Sequence, residues 1–455
     1  MINASLERTE PYIALKRGLP THVPDPGPVH RWFQFKESFS PQLVHAILDE
    51  LALGPGHLLL DPFCGAGTAL LVAAERGLRV AGCDLLPLAI FASRVKLTPF
   101  SPEAVTRGVG EVLRTASGPP RETNHFVGPA SVEYRISPGK LNTDLPPGVR
   151  CPWFFTPPVY AQLLDLRKRI LALGAVGDAL LLGLVAIVDQ VDLAFKDGAF
   201  LSKIRPERPS SGRRKRRQEL FARQRATLSD DVLGAWERKM AEVVADLAWR
   251  DAMVALDVIQ PMRQDLLVLA DARRLRLAAQ FDAIITSPPY ANRYDYTRIY
   301  QPELTILLGG GKAVAQLRRS MLCSTTEARP LPPAPDYAEP RRLRELLEQL
   351  KERGVEGKVV AMLRGYFSDV FHALRGMSAS LRPGGALCLV VGTSSYRGVT
   401  IPVDRLLAEL GERTRLCVAE LVPLRARGTS AQQAKRYGRR QQRETLVVYR
   451  KAAGG

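Results

Sequence analysis

Short apolar runs that end at polar, glycine or proline positions recur along the chain and predict the buried strands of a sheet. The first five runs lie at residues 58–60, 78–83, 266–270, 283–286 and 386–391. Two later runs, at residues 416–422 and 444–449, predict an antiparallel pair that closes the sheet.

Segments with apolar residues at helical spacing alternate with these runs. The predicted helices lie at residues 41–53, 69–76, 87–95, 159–173, 178–195, 230–256 and 366–381. Ser40 is placed to cap the first helix, and Gly54 ends it. Strands that alternate with helices are typical of an α/β fold, so we predict that class.

The spacing of these elements divides the chain into three parts. We expect an N-terminal arm and the first half of the sheet in residues 1–100. The second half of the sheet is expected in residues 263–455, which include an excursion at 291–364. Residues 101–262 form an insert that starts as a linker, because residues 117–158 hold nine prolines and four glycines, and then becomes mainly helical.

Charge changes this picture. The chain has 64 Lys and Arg residues against 46 Asp and Glu residues, a formal net charge of +18. This excess favours a polyanionic partner, with a solubilising surface or an anionic membrane as the alternatives. Two basic runs, residues 203–225 and 425–443, are candidates for phosphate contacts; each is otherwise a solvated surface or a disordered loop.

Six scattered cysteines, with no Cys-x-x-Cys pair and no nearby histidine cluster, predict reduced thiols, a cytoplasmic protein and no metal site. Residues 1–17 lack the apolar core of a signal peptide. The longest apolar run, residues 179–188, is too short to cross a membrane and predicts a buried helix.

A polar turn, Asp61-Pro62-Phe63-Cys64-Gly65-Ala66-Gly67-Thr68, follows the first strand. Its Gly-x-Gly leads into a helix as in nucleotide-binding units, but Leu70 replaces the third glycine of a dinucleotide fingerprint. No Gly-Lys-Ser/Thr follows, which excludes a Walker loop. In such units an acidic residue at the end of the second strand holds the ribose hydroxyl pair, and Asp84 occupies that position. S-adenosylmethionine fits these requirements, since it has a ribose and an adenine but no phosphate.

The turn Ser287-Pro288-Pro289-Tyr290 follows the apolar run 283–286, and the prolines end that strand. Ligands of open α/β sheets bind at the carboxyl ends of strands. Hydroxyl and carbonyl oxygens accept the hydrogens of an amino group, and a phenol ring covers the face of a flat molecule. The turn is therefore a candidate site for a planar amine.

Together, the two turns resemble the motifs of S-adenosylmethionine-dependent amino-methyltransferases that act on exocyclic amines of DNA bases. The ordered pair is much more specific than either motif alone. The resemblance covers roughly residues 30–100 and 265–450 and implies a Rossmann-like class I methyltransferase domain with a seven-stranded mixed sheet and a large, mainly helical insert. Family members usually recognise their target between the third and fourth strands, so the early insert and the excursion at 291–364 are competing candidates for that role.

The resemblance also implies roles for individual residues. The methionine end of the cofactor is expected at residues 31–40 and its adenine beside Asp271. The cofactor-binding residues are then Phe33, Lys36, Ser38, Asp61, Phe63, Cys64, Gly65, Gly67, Thr68, Asp84, Leu85, Asp271 and Ala272. The expected DNA contacts are Arg213, Arg214, Lys215, Arg216, Arg217, Arg293, Lys435, Arg436, Arg439 and Arg440.

Ser287, Pro288, Pro289 and Tyr290 are the implied catalytic residues. The Ser287 hydroxyl and the Pro288 carbonyl would accept the two amino hydrogens, and Tyr290 would stack on a base rotated out of the duplex. Serine at the first position is common in cytosine-N4 enzymes, which favours N4-methylcytosine as product. Asp295, beyond this motif, is expected to be a surface carboxylate, with an added substrate contact or a proton-accepting role as the alternative.

Three alternatives stay open: an adenine-N6 DNA methyltransferase, an RNA amino-methyltransferase, and a catalytically silent nucleic-acid-binding subunit. The expected partner is double-stranded DNA, with a cognate restriction endonuclease or another defence protein as a second candidate. No membrane partner is expected, and the sequence leaves the oligomeric state open.

Overall fold

The computed structural model describes residues 26–38, 40–114, 126–127, 133–134, 141, 143–197, 200–203, 231–261, 266–309, 312–428 and 441–452. The helices are α1 (Pro41–Glu50), α2 (Thr68–Glu75), α3 (Pro87–Leu97), α4 (Pro102–Arg114), α5 (Pro157–Leu171), α6 (Gly177–Ala186), α7 (Val188–Val191), α8 (Val232–Ala255), α9 (Tyr296–Ile299), α10 (Gln301–Leu308), α11 (Lys312–Ser320), α12 (Arg341–Glu352), α13 (Gly357–Ser380) and α14 (Val403–Glu412). The strands are β1 (Leu58–Asp61), β2 (Arg79–Asp84), β3 (Phe126–Val127), β4 (Glu133–Tyr134), β5 (Ala194–Asp197), β6 (Phe200–Lys203), β7 (Leu266–Leu269), β8 (Phe281–Thr286), β9 (Leu381–Gly392), β10 (Ser394–Tyr396), β11 (Val399–Ile401), β12 (Leu416–Gly428) and β13 (Gln441–Lys451).

Seven strands form one sheet in the order β12-β13-β9-β8-β1-β2-β7. From β7 to β9 the neighbouring strands are parallel, whereas β13 runs antiparallel to both β9 and β12. The sheet is therefore mixed, with a single reversed strand inserted next to the edge. The predicted Rossmann-like class I methyltransferase fold is confirmed.

Helices cover both faces of this sheet, and successive strand residues point to opposite faces. Leu59 packs into a core shared with α1, α2, α3 and the insert helices. Its neighbour Leu60 packs into a second core, formed mainly by α12, α13 and α14. Because β1 is central and buried on both faces, its sequence is a continuous apolar run rather than an alternating one.

The described helices of the insert pack on the first face rather than standing apart. Trp236 of α8 is fully buried and donates from Nε1 to the carbonyl of Leu180 on α6, at 3.1 Å. Arg250, further along α8, donates to the carbonyls of Thr98 and Phe100 at 3.2 and 3.1 Å. The insert thus shares a core with the first half of the sheet.

The segment predicted as one helix at residues 178–195 is broken in the structure. Its helical part ends at Val191, and β5 begins at Ala194 and pairs with β6. The Asp192 carboxylate accepts a hydrogen bond from the Ala194 amide at 2.9 Å, a local bond that competes with the helix. Residues 174–191 are apolar enough to span a membrane by composition, with mean hydropathy 1.7, but 61% of this stretch is buried inside the protein.

Candidate active site

A cavity of about 440 Å³ opens at the carboxyl ends of β1, β2, β7 and β8. The glycine turn after β1, Asp84, residues 35–38 and the turn after β8 all contribute to its wall. Two motifs that lie more than 200 residues apart in sequence therefore face one space. A volume in the range of 300–1,000 Å³ is typical of small-molecule sites.

The glycine turn adopts a conformation that side chains would hinder. Gly65 and Gly67 have φ angles of 51° and 80°. A Cβ added at Gly67 would lie 2.7 Å from the Ser93 hydroxyl oxygen and 3.1 Å from the Ser93 Cα. Gly67 is therefore required for the close approach of α3. It shapes the turn, whereas Gly65, Cys64 and Thr68 line the cavity.

Asp84 ends β2 and holds the glycine turn. Its carboxylate accepts hydrogen bonds from the amides of Gly65, at 3.1 Å, and Leu86, at 2.8 Å. Burial raises the pKa of Asp84 to about 6, although these amide hydrogen bonds oppose the shift. A fixed carboxylate at this edge, next to Leu85, suits a pair of ribose hydroxyls.

Asp61 connects the two motif strands. Its carboxylate accepts from the Thr286 hydroxyl at 2.6 Å and from the Phe63 amide at 3.1 Å. Burial, with a smaller contribution from the neighbouring Asp84, raises the pKa of Asp61 to about 7. Thr286 is the residue immediately before Ser287, so this hydrogen bond sets the position of the second motif relative to the first.

Residues 35–38 form another wall of the cavity. The Lys36 amide donates to the Tyr300 hydroxyl at 2.8 Å, and that hydroxyl donates to Glu37 at 3.2 Å. Phe33 lies behind the wall, where its ring makes an edge contact with Phe35 at a centroid distance of 5.3 Å. The structure thus puts Phe35, together with Lys36 and Ser38, on the cavity surface and Phe33 in the core.

A buried lysine joins this wall to the glycine turn. Lys96 donates to the carbonyls of Phe33, at 2.6 Å, and Ala66, at 3.0 Å. Burial lowers its pKa to about 7. A neutral amine can still donate both hydrogen bonds, so the link does not depend on the charge of Lys96.

Asp271 and Ala272 line the cavity after β7. The Asp271 carboxylate is held by Arg273, with Nε and Nη2 donating at 2.9 and 2.8 Å. Arg273 also pairs with the buried Asp369 of α13 at 2.7 Å. Asp271 therefore has a fixed orientation at the edge where the resemblance implies the adenine ring.

The turn after β8 brings Ser287, Pro289 and Tyr290 to the cavity, with Pro288 buried behind them. Tyr290 packs against Gly392 so closely that a Cβ added at Gly392 would lie 2.8 Å from its ring. The Tyr396 hydroxyl donates to the carbonyl of Ala291 at 2.7 Å. Two neighbouring segments therefore hold this turn in place.

Several cavity residues were missed by the sequence analysis: Glu37, Lys196, Asn292, Met321, Leu322 and Glu444. Tyr294 and Tyr296, within the excursion at 291–364, also line the cavity, with ring centroids 4.9 Å apart. Glu444 had a usable signal, since it is the charged first residue of the apolar run predicted at residues 444–449.

The expectation for Asp295 was wrong. It is 6% exposed, and it caps α9 through a hydrogen bond from the Arg298 amide at 3.2 Å. Its carboxylate lies 3.1 Å from the Arg318 guanidinium and accepts from the Thr297 hydroxyl at 2.6 Å. Asp295 therefore organises the loop behind the cavity instead of facing solvent.

Arg293 is the only expected DNA contact in the part of the chain that the structure describes. It is partly exposed, follows the catalytic turn, and has a φ angle of 65°, which is unusual for a residue with a side chain. The other expected contacts, Arg213–Arg217 and Lys435, Arg436, Arg439 and Arg440, lie outside the described residues.

The strand order is that of the Rossmann-like class I methyltransferase fold, and the two motifs line one cavity of it. No family model matches the chain. It is 27% identical to the Type II methyltransferase M.BsoBI of Geobacillus stearothermophilus, over 93% of this chain and 86% of the relative. It is 26% identical to the Type II methyltransferase M.AvaI of Nostoc sp., with the same coverage. This similarity over nearly the whole chain confirms the expected resemblance to site-specific DNA methyltransferases.

Among solved structures, the rRNA methyltransferase aviRa from Streptomyces viridochromogenes is 13% identical, with a TM-score of 0.29 and coverage of 98% of this chain and 94% of that chain. A TM-score of 0.29 is too low to support a fold assignment, so the assignment rests on this chain's own strand order.

Proposed function

We propose that this protein transfers a methyl group from S-adenosylmethionine to the N4 amine of a cytosine rotated out of double-stranded DNA. The observation that supports this most directly is that Ser287, Pro289 and Tyr290 line the same cavity as Asp84 and Asp271. A methyl donor held by the two carboxylates and an amine held by the turn after β8 would then share one cavity.

The residues of the cavity fit the cofactor. Two fixed carboxylates, Asp84 and Asp271, lie on the side of β2 and β7, and residues 35–38 lie near the glycine turn. Asp84 would accept the ribose hydroxyls, and Asp271 would accept from the adenine amino group. The bound cofactor would supply an electrophilic methyl group and leave as S-adenosylhomocysteine, and the methylated nitrogen would then lose one proton to solvent. No residue of the protein has to act as a covalent nucleophile.

The turn after β8 has to activate the amine. An exocyclic amino nitrogen is a poor nucleophile, because its lone pair is delocalised into the ring. The Ser287 hydroxyl and the Pro288 carbonyl would accept the two hydrogens, which favours a pyramidal nitrogen with its lone pair directed at the methyl group. The two prolines restrict the backbone of the turn. Tyr290 packs against Gly392 and would stack on the base.

The preference for cytosine rests on the serine at position 287, since aspartate is usual there in adenine-N6 enzymes. Adenine presents the same amine beside a ring nitrogen, so N6-methyladenine is the competing product. Expression in a methylation-free host, followed by mass spectrometry of the nucleosides, tests the proposal. N4-methylcytosine is the expected product, whereas an absence of any methylated nucleoside would contradict a DNA methyltransferase activity.

The relatives are named Type II methyltransferases. We therefore expect a cognate restriction endonuclease as a functional partner in the cell. Genomic DNA from cells that express this protein should resist that endonuclease, and DNA from cells that express Ser287→Ala should be cut. Equal cleavage of both DNAs would argue against this partnership.

A further inference from the structure

A second groove, of about 540 Å³, is lined by four arginines from four different elements. Arg342 comes from α12, Arg405 from α14, Arg425 from β12 and Arg443 from β13. Arg342 and Arg425 are exposed, and Arg405 and Arg443 are partly exposed. The groove is therefore open to solvent along one side.

Among the groove residues that the structure describes, Asp404 is the only one with a carboxylate, and it is fully buried. It accepts hydrogen bonds from Arg443 Nε at 2.8 Å and from the Thr445 hydroxyl at 2.9 Å. The described lining of the groove thus holds four guanidinium groups and one carboxylate, and that carboxylate pairs with Arg443. The hydroxyl of Thr400 adds a group that can donate to an anion, whereas the Thr393 hydroxyl donates to the Arg443 carbonyl at 3.4 Å.

The groove lies directly beside the candidate active site. Arg443 lines the groove, and the next residue of β13, Glu444, lines the cavity. Likewise, Gly392 supports the Tyr290 ring, and the next residue, Thr393, lines the groove. The two sites are thus separated by the first residues of β13 and the end of β9.

We propose that this groove binds phosphates of the DNA backbone next to the base that enters the cavity. The proposal rests on the proposed function, since it takes DNA to be the substrate. Guanidinium groups form paired hydrogen bonds with phosphate oxygens, and such contacts fix the position of a duplex without reading its sequence. Four arginines spread along an open groove suit a chain of phosphates better than one small anion.

A backbone held at this place would assist base rotation. Rotating a base out of the stack costs a few kcal/mol, and contacts to the neighbouring backbone offset that cost. Phosphates anchored beside Arg443 would also position the rotated base over the turn that holds Ser287. The groove therefore contributes to DNA affinity and not to cofactor affinity.

The test compares two double variants that remove the same charge. Arg342→Gln/Arg425→Gln changes two exposed arginines of the groove. Arg382→Gln/Arg450→Gln changes two exposed arginines at the opposite ends of β9 and β13. The binding of the full chain to a labelled duplex of mixed sequence is measured by fluorescence anisotropy over a range of salt concentrations, with thermal melting as a folding control.

We expect the slope of log K against log salt to fall by about 0.9 for each phosphate that the groove variant no longer binds, and to stay close to the parent value in the control. The groove variant should also raise the KM for DNA and leave the KM for S-adenosylmethionine unchanged. Equal slopes in the two double variants would overturn the proposal. If the groove variant fails to fold, Arg342→Gln alone, on an exposed helix position, gives the same comparison against Arg382→Gln.

Two further outcomes separate this proposal from its alternatives. Inorganic phosphate at fixed ionic strength should compete poorly with the duplex; efficient competition in the parent that disappears in Arg342→Gln/Arg425→Gln would assign the groove to a free anion and overturn the backbone proposal. A parent that neither binds duplexes nor methylates DNA would overturn the proposed function itself. If the parent binds duplexes and methylates DNA but the two double variants give equal slopes, only the proposal for the groove is overturned.

Discussion

The indole Nε1 of Trp32 donates a hydrogen bond of 3.0 Å to the carboxylate of Asp246. The same carboxylate accepts from the Val29 amide at 2.9 Å and pairs with the Arg31 guanidinium. Asp246 lies on α8 of the insert, and its partners lie just before the cavity wall at residues 35–38. One buried carboxylate of the insert therefore anchors the segment that is expected to meet the methionine end of the cofactor.

This anchor predicts that Asp246→Asn raises the KM for S-adenosylmethionine more than it lowers kcat. The variant loses the charge that pairs with Arg31, so residues 33–38 are held less firmly, whereas the turn after β8 is unaffected. Steady-state kinetics with varied cofactor measure the split. Asp251→Asn, at an exposed position of the same helix, is the matched control and should behave as the parent. An equal fall in kcat and kcat/KM for Asp246→Asn would contradict a role in cofactor positioning.

Asp84→Ala should weaken S-adenosylmethionine binding by about 1.5–3 kcal/mol, which is roughly ten- to a hundred-fold. The variant would lack the hydrogen bonds to the ribose, and the Gly65 and Leu86 amides would be left without their acceptor. Titration calorimetry measures the affinity directly. Binding as tight as that of the parent would remove Asp84 from the cofactor site.

The raised pKa of Asp61 predicts that the free energy of unfolding depends on pH. Its folded-state pKa is raised from 3.8 to about 7, so the folded state holds a proton that the unfolded chain releases near pH 4. The contribution of Asp61 to the free energy of unfolding is therefore fully present below pH 4 and declines as the pH rises through 7. At about 1.4 kcal/mol per pKa unit, the loss amounts to several kcal/mol.

Denaturant unfolding of the parent and of Asp61→Asn at several pH values checks this sign. Asparagine keeps an acceptor for Thr286 but does not ionise, so the variant should gain stability relative to the parent as the pH rises from 4 to 7. A constant difference between the two proteins across this range would contradict the raised pKa.

The two turns that line the cavity could be located from the sequence, because each is a local motif. Ser287 to Tyr290 and the glycine turn are continuous motifs whose backbone geometry depends on glycines and prolines within them. Asp84 was found for a similar reason, since a strand's carboxyl end can be located from the apolar run before it. These positions depend on short-range rules that one sequence contains.

The remaining residues of the site depend on packing between distant segments. Phe33 and Phe35 are alternate residues of one segment, and their distribution between core and cavity is set by Tyr300 and Lys96. Glu444 reaches the cavity only because β13 inserts between β9 and β12. Asp295 is polar and lies in a loop, but Arg318 and Thr297 pair with it in the interior. No spacing rule predicts these contacts.

Gly392→Ala should reduce methyl transfer without weakening cofactor binding. The added Cβ would lie 2.8 Å from the Tyr290 ring, so the ring has to shift from the position in which it would stack on the base. Methylation kinetics with varied DNA, combined with calorimetry for S-adenosylmethionine, separate the two effects. Gly357→Ala is the control, because nothing lies within 4 Å of a Cβ at that position. Unchanged kinetics in Gly392→Ala would argue against a role for the Tyr290 ring position.

Ser287→Ala tests the chemistry itself. The hydroxyl is proposed to act only on the rotated base, so its removal should largely abolish methyl transfer while the calorimetric affinity for S-adenosylmethionine stays at the parent value. Because Ser287 takes no part in the hydrogen bond between Thr286 and Asp61, the melting temperature of Ser287→Ala should stay close to that of the parent.

Ser287→Asp is a second variant to compare, since aspartate stands at this position in adenine-N6 enzymes and can accept the same amino hydrogens. Mass spectrometry of nucleosides from DNA treated with each protein should show N4-methylcytosine for the parent and little product for Ser287→Ala. N6-methyladenine as the sole product of the parent would overturn the assignment to cytosine, and full activity of Ser287→Ala would show that another group accepts the amino hydrogens.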